Sequence, residues 1–157
     1  MLAIVWHSRT GAARAMAAAI AQGAGERGVL LGAAEAMPAL LLGFNGYVFV
    51  CPENLGSMSG LMKEMFDRCY YPMLGRVEGR PYATAIAAGS DGTGAQAQID
   101  RIVTGWRLKR VAPPLIVNLG AQTPEQIRAE KTVSDHDLAA CRGLGEAFGE
   151  GLGLGIF

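Results

Sequence analysis

The sequence predicts an α/β domain, a doubly wound sheet of five parallel strands with helices on both faces. Two observations carry this. Five short β-prone runs alternate along the chain with segments of helical periodicity. The first run, Leu2-Ala3-Ile4-Val5-Trp6, is apolar without alternation, as a strand covered on both faces requires. A chain of 157 residues has the size of one compact core, so residues 1–157 are expected to form a single domain.

After the first strand, Ala12 to Gln22 is alanine-rich with Met16 and Ile20 four apart, a helix former whose apolar stripe can pack on a sheet. Gly23 to Gly28 ends it. Val29 to Ala34 reads as a second, weaker strand, and Met37 to Leu42 as a short helix or part of a long connection. Tyr47 to Cys51 is a third strand, expected to stop at Pro52. Ser59 to Tyr70 then shows helical spacing at Met62, Met65, Phe66 and Cys69. Tyr82 to Ala88 is the fourth strand, followed by a glycine loop and a helix from about Ala95 to Leu108, with Ile99, Ile102, Val103 and Trp106 on its buried side. Leu115 to Asn118 is the fifth strand. A short helix from Pro124 to Lys131 is compatible with proline at a first turn. Asp135 to Glu150 closes the chain as a helix that frays into a glycine-rich tail, where Ile156 and Phe157 are expected to pack on a neighbour.

Composition removes several classes of function. Fourteen basic and fourteen acidic residues cancel, so no long-range field favours nucleic acid or an anionic membrane. The apolar start, Met1 to Trp6, is one strand long, too short for a signal peptide or a membrane span. Cys51, Cys69 and Cys141 have no paired metal or redox spacing and are expected as free thiols in a reducing cytoplasm. No metal site is expected. Hydrophobic residues make up 50% of the chain, enough to suggest a homodimer or higher homo-oligomer.

In open parallel sheets, ligands bind beyond the carboxyl ends of the strands, where the strand order reverses. Three informative loops fall at such ends. Ser8-Arg9-Thr10-Gly11-Ala12-Ala13 stands between a buried strand and a helix. There, hydroxyls, free N–H groups and about half a positive charge from the helix suit a phosphate of about −1.5 to −2 charges. An ordinary helix cap accounts for this loop equally well. Pro52 to Gly60 can present amides and one apolar side chain to a flat ring, or can be a plain strand-to-helix connection. Gly89 to Gly94 lets the backbone lie close to a ligand, or only turns a corner.

The combination is more specific than any one loop. Ser8-Arg9-Thr10-Gly11, Pro52 with Gly56-Ser57-Met58-Ser59-Gly60-Leu61-Met62-Lys63 and Phe66-Asp67-Arg68, and Gly89-Ser90-Asp91-Gly92-Thr93-Gly94 together resemble the flavodoxin-like superfamily. The likeness is strongest to its NAD(P)H-dependent FMN and quinone reductases. The resemblance implies strand order 2-1-3-4-5 and bound FMN. It implies the phosphate at Ser8, Arg9, Thr10, Gly11, Ala12 and Ala13. The ring would lie between Pro52, Glu53, Asn54, Leu55, Gly56, Ser57 and Met58 on one side and Gly89, Ser90, Asp91 and Gly94 on the other. Ala13 departs from the family, which often has a hydroxyl residue there, and this removes one phosphate hydrogen bond.

Among single residues, His7 is weighed as a donor near the phosphate against a filler at a strand end, and Lys63 with Asp67 as a surface pair. No nucleophile is paired with a base by any recognisable motif. The implied activity is NAD(P)H-dependent reduction of a quinone, a flavin or another small acceptor. Absence of an aromatic residue in either ring loop favours it, since an open ring face leaves room for a nicotinamide. A flavodoxin-type carrier is usually strongly acidic for docking, which this chain is not. A non-catalytic binding domain is the third alternative.

Overall fold

The structure is a computed structural model that describes residues 1–157. Its strands are β1 (Leu2–Trp6), β2 (Gly28–Gly32), β3 (Gly46–Asn54), β4 (Ser57–Met58), β5 (Pro81–Ala88), β6 (Lys109–Arg110) and β7 (Leu115–Asn118). Its helices are α1 (Ala12–Ala24), α2 (Pro38–Leu41), α3 (Gly60–Met73), α4 (Thr93–Gly105), α5 (Pro124–Arg128) and α6 (Asp135–Leu154). The parallel order is β2-β1-β3-β5, with β6 and β7 both on the outer side of β5. This is the flavodoxin-like arrangement, its fifth position filled by two short pieces. β6 pairs with Pro81–Tyr82 and β7 with Ala85–Ala88, and Pro113-Pro114, which lack N–H donors, fall in the break.

Side-chain alternation sorts the core into two layers. Leu2, Ile4, Val48, Val50, Ala83 and Ala85 face α1 and α6. Ala3, Val5, Tyr47, Phe49, Cys51 and Ile86 face α2, α3 and α4. Trp106 lies fully buried in the second layer, its indole N–H donating to the Tyr70 carbonyl at 3.1 Å.

Two expectations need correction. β3 does not stop at Pro52 but runs to Asn54. Val50 presents its carbonyl to the His7 N–H, and Pro52 points the same way two residues on. β1 has ended at Trp6, so no strand partner there requires a donor. The C-terminal glycines do not fray: α6 continues to Leu154 because they let it lie directly on α1. A Cβ on Gly145 would stand 2.0 Å from the Ile20 carbonyl oxygen, and one on Gly23 1.9 Å from that of Arg142. Phe157 also turns back onto its own helix and meets Phe148 edge-on at 5.4 Å, while Ile156 stays exposed. Small boundary differences also occur, α4 ending at Gly105 and α5 at Arg128.

Candidate functional site

The carboxyl ends of β1, β3, β5 and β7 open into a cleft of about 570 Å³, well within the range of small-molecule sites. From the first loop it is lined by Ser8, Arg9, Thr10, Ala12 and Ala13, from the second by Pro52, Glu53, Asn54, Leu55 and Gly56, and from the third by Gly89 and Ser90. All three loops therefore meet. Gly11 lines an adjoining cleft of about 430 Å³ that shares Ser8, Arg9 and Thr10. Ser57, Met58, Asp91 and Gly94 do not line the main cleft and serve its walls instead.

The first loop turns sharply at Gly11, whose φ of 98° is left-handed and suits glycine. The Ser8 hydroxyl oxygen accepts the Gly11 N–H at 3.1 Å, so its own O–H stays available to an acceptor. No side chain caps α1, which leaves the N–H groups of its first turn facing the cleft at Ala12 and Ala13. Thr10 is held from behind: its carbonyl accepts the Lys131 N–H at 2.7 Å. The Lys131 ammonium donates to the carbonyls of Ile127 and Ala129, which keeps its charge at the rim. Donors and positive charge thus surround the point where β1 meets α1.

The second loop is a hairpin. β3 and β4 pair antiparallel through Asn54 and Ser57, and the two turn residues, Leu55 and Gly56, both have left-handed φ (54° and 71°). The hairpin is fastened to α4. The Gln98 side-chain oxygen accepts from the Met58 N–H at 3.0 Å and from the Ser57 hydroxyl at 2.8 Å. The Glu53 carboxylate accepts the Gly92 and Ala95 N–H groups, both at 2.9 Å, and caps the start of α4. Gly94 fits beneath, since a Cβ there would come within 2.2 Å of the Gly56 carbonyl oxygen. Asp91 accepts from the Thr93 hydroxyl at 2.7 Å, and Ser90 is held through its carbonyl by the Asn118 amide at 2.6 Å.

A fourth wall, unforeseen from the residues alone, comes from the chain between β7 and α6: Leu119, Ala121, Ile127 and Lys131. Its only sequence signal is the Thr123 to Gln126 capping box around Pro124, which marks a helix start but not a ligand. His7 lies outside the cleft lining, its Nδ1 2.7 Å from the hydroxyl of the fully buried Ser59. Burial, helped by the charge of Arg9, holds the imidazole below its ordinary 6.5. Lys63 and Asp67 form an exposed pair at 2.6 Å. All three cysteines are free and buried, and burial pushes the thiols of Cys51 and Cys141 up to about 12 and about 11. They are poor nucleophiles.

The model of a family of NADPH-dependent FMN reductases matches residues 32–123, more than half of the chain. The chain belongs to this family. The NADPH-dependent FMN reductase family supplies what the geometry alone does not: a flavoprotein oxidoreductase with FMN as cofactor. Solved structures agree on the fold. A flavodoxin from the domain Archaea is 19% identical, with 96% of this chain and 97% of that one covered and a TM-score of 0.74. A flavodoxin, WrbA-like protein from Agrobacterium tumefaciens is 21% identical, over 95% and 94% of the two chains, at 0.72. The two-electron reduced flavodoxin of Megasphaera elsdenii is 15% identical, over 96% and 99%, at 0.70. No curated protein matches the sequence.

The donor set fits the cofactor of these FMN reductases. Uncapped amides, the Ser8 and Thr10 hydroxyls and the basic rim suit a phosphate, and the cleft between hairpin and glycine loop has the mixed apolar and amide lining that a flat heterocycle needs. No helix is long and apolar enough to cross a membrane.

Proposed function

We propose that residues 1–157 act as one domain that takes a hydride from NADH or NADPH and passes electrons to a quinone, a free flavin or another small acceptor. The observation that carries this reading is the absence of any aromatic side chain in the main cleft. A flat ring lodged there keeps one face open, and a nicotinamide can lie against it. FMN, when bound, supplies the two-electron chemistry.

The residues have separable tasks. Ser8, Thr10 and the amides of Ala12 and Ala13 bind the phosphate, with Arg9 and Lys131 adding charge, while Gly11, its N–H spent on the Ser8 oxygen, supplies the turn. Pro52, Asn54, Leu55 and Gly56 orient the ring from one side, Gly89 and Ser90 from the other. Ser57, Met58, Asp91 and Gly94 act one step back by fixing hairpin and helix. Glu53 is the carboxylate on the cleft wall, and its two oxygens accept the Gly92 and Ala95 N–H groups, so it positions the hairpin against α4. Ile127 and Leu119 exclude water at the mouth. The zero net charge favours a small uncharged acceptor over a docking partner. A homodimer in a reducing cytoplasm completes the reading, supported by the apolar composition.

Anaerobic mixing of the FMN-loaded protein with NADPH and with NADH tests it. Rapid loss of the oxidised flavin absorbance with either donor is expected, followed by its return when a quinone is added. Persistence of the oxidised spectrum with both donors removes the reductase reading in favour of an electron carrier. A protein that takes up no FMN on titration removes both.

A further inference from the structure

Behind the first loop, the adjoining cleft of about 430 Å³ has a composition of its own. Its wall includes Arg9, Arg14 and Arg128 against a single carboxylate, Glu130, and Trp6 contributes the one hydrophobic side chain. Arg14 stands 3.7 Å from Glu130, whereas Arg9 and Arg128 form no ion pair. In a chain whose charges cancel overall, three guanidinium groups around one cavity concentrate positive charge where the main cleft continues past Ser8 and Thr10. Guanidinium groups match phosphate with paired donors, and an indole face offers a stacking surface for a base.

We propose that this cleft takes the adenosine phosphate part of a dinucleotide, with phosphate between Arg14 and Arg128 and the base against Trp6. The inference rests on the oxidoreductase reading for the kind of dinucleotide involved. The same chemistry comes from two sources: the adenylate of a flavin dinucleotide, running on from the first loop, or the adenylate of the nicotinamide donor. Either way, the chain holds a redox dinucleotide by both ends.

Titration of the full, flavin-free chain with 5′-AMP and with 2′,5′-ADP tests this directly. Trp106 is fully buried, so Trp6 is the fluorophore that a ligand can quench. Quenching that saturates at sub-millimolar adenylate is expected, and Trp6→Phe should abolish the signal while calorimetry still records binding. Arg14→Gln and Arg128→Gln should each weaken adenylate about tenfold or more, with FMN affinity kept within about twofold. Both side chains are exposed, so these variants should fold. No adenylate binding at millimolar concentration, or equal binding by the variants, overturns the proposal. Two further arms separate the sources. FAD bound about tenfold more tightly than FMN, with the advantage lost in Arg128→Gln, assigns the cleft to a flavin dinucleotide. FAD bound no more tightly than FMN, with the FMN-loaded protein preferring 2′,5′-ADP to 5′-AMP by about tenfold, assigns it to the nicotinamide donor. If adenylate binds and FMN does not, the oxidoreductase reading fails and the subsite stands; the reverse result sinks the subsite alone.

Discussion

Single atoms decide how firmly the first loop can hold its ligand. Ala13 lies on the cleft wall and is buried, yet brings only an amide where a hydroxyl would add a donor. Ala13→Ser is expected to tighten FMN by roughly 2- to 13-fold, the value of one hydrogen bond of about 0.5–1.5 kcal/mol, measured by flavin fluorescence quenching. Weaker binding would mean that the wall has no room for the oxygen. His7 makes a different statement. Its folded form favours the neutral ring, so the unfolded chain takes up the proton first as pH falls through about 6.5. Its contribution to stability is complete above that pH and is lost as pH falls toward the lower folded value. Urea denaturation at pH 7.5 and 5.5 should show a smaller loss for His7→Gln than for the parent chain; equal losses would assign the slope to other groups. From sequence, His7 could be placed at a strand end but not joined to Ser59, because nothing in either segment encodes a contact across 52 residues.

Elements were legible where their own periodicity determined them. The apolar runs of β1, β3 and β5 and the stripes of α1, α3 and α4 could be read directly, since burial on two faces or one leaves a different pattern. β4 and β6 escaped because two-residue strands have no period. The hairpin was further hidden by Leu55, a non-glycine residue in a left-handed turn position. The end of α6 does not follow from its residues, because glycine lowers helix propensity, whereas here it permits contact with α1. Neighbouring glycines separate these two effects. Gly143 faces open space, so Gly143→Ala should stabilise the protein by up to about 1 kcal/mol through propensity alone. Gly145 lies against the Ile20 carbonyl, and Gly145→Ala should destabilise by about 1–3 kcal/mol despite the same propensity gain. Thermal denaturation of both variants checks the pair, and a matching gain at both positions would refute the close packing of α1 and α6.

For the molecule as a whole, the three strand-end loops could be read as converging because a doubly wound sheet leaves little choice of where they go. Its fourth wall could not, since Leu119, Ala121, Ile127 and Lys131 reach the cleft only through the path of a long connection. A ligand held by every wall should stabilise the entire fold. FMN at about a hundredfold over its dissociation constant is expected to add about 2.7 kcal/mol, or roughly 5–10 °C in Tm for a chain of this size. A Tm indifferent to FMN would contradict binding at this cleft. The bond from Lys131 to Thr10 gives the assembly an order in time. A ribosome delivers the first loop early and the residue that secures it late, with almost the whole sheet made in between. Nascent chains that stop short of Lys131 would present a loose, unfinished loop. On the proposed reading, a growing chain holds FMN firmly only after Lys131 has been made and has reached Thr10.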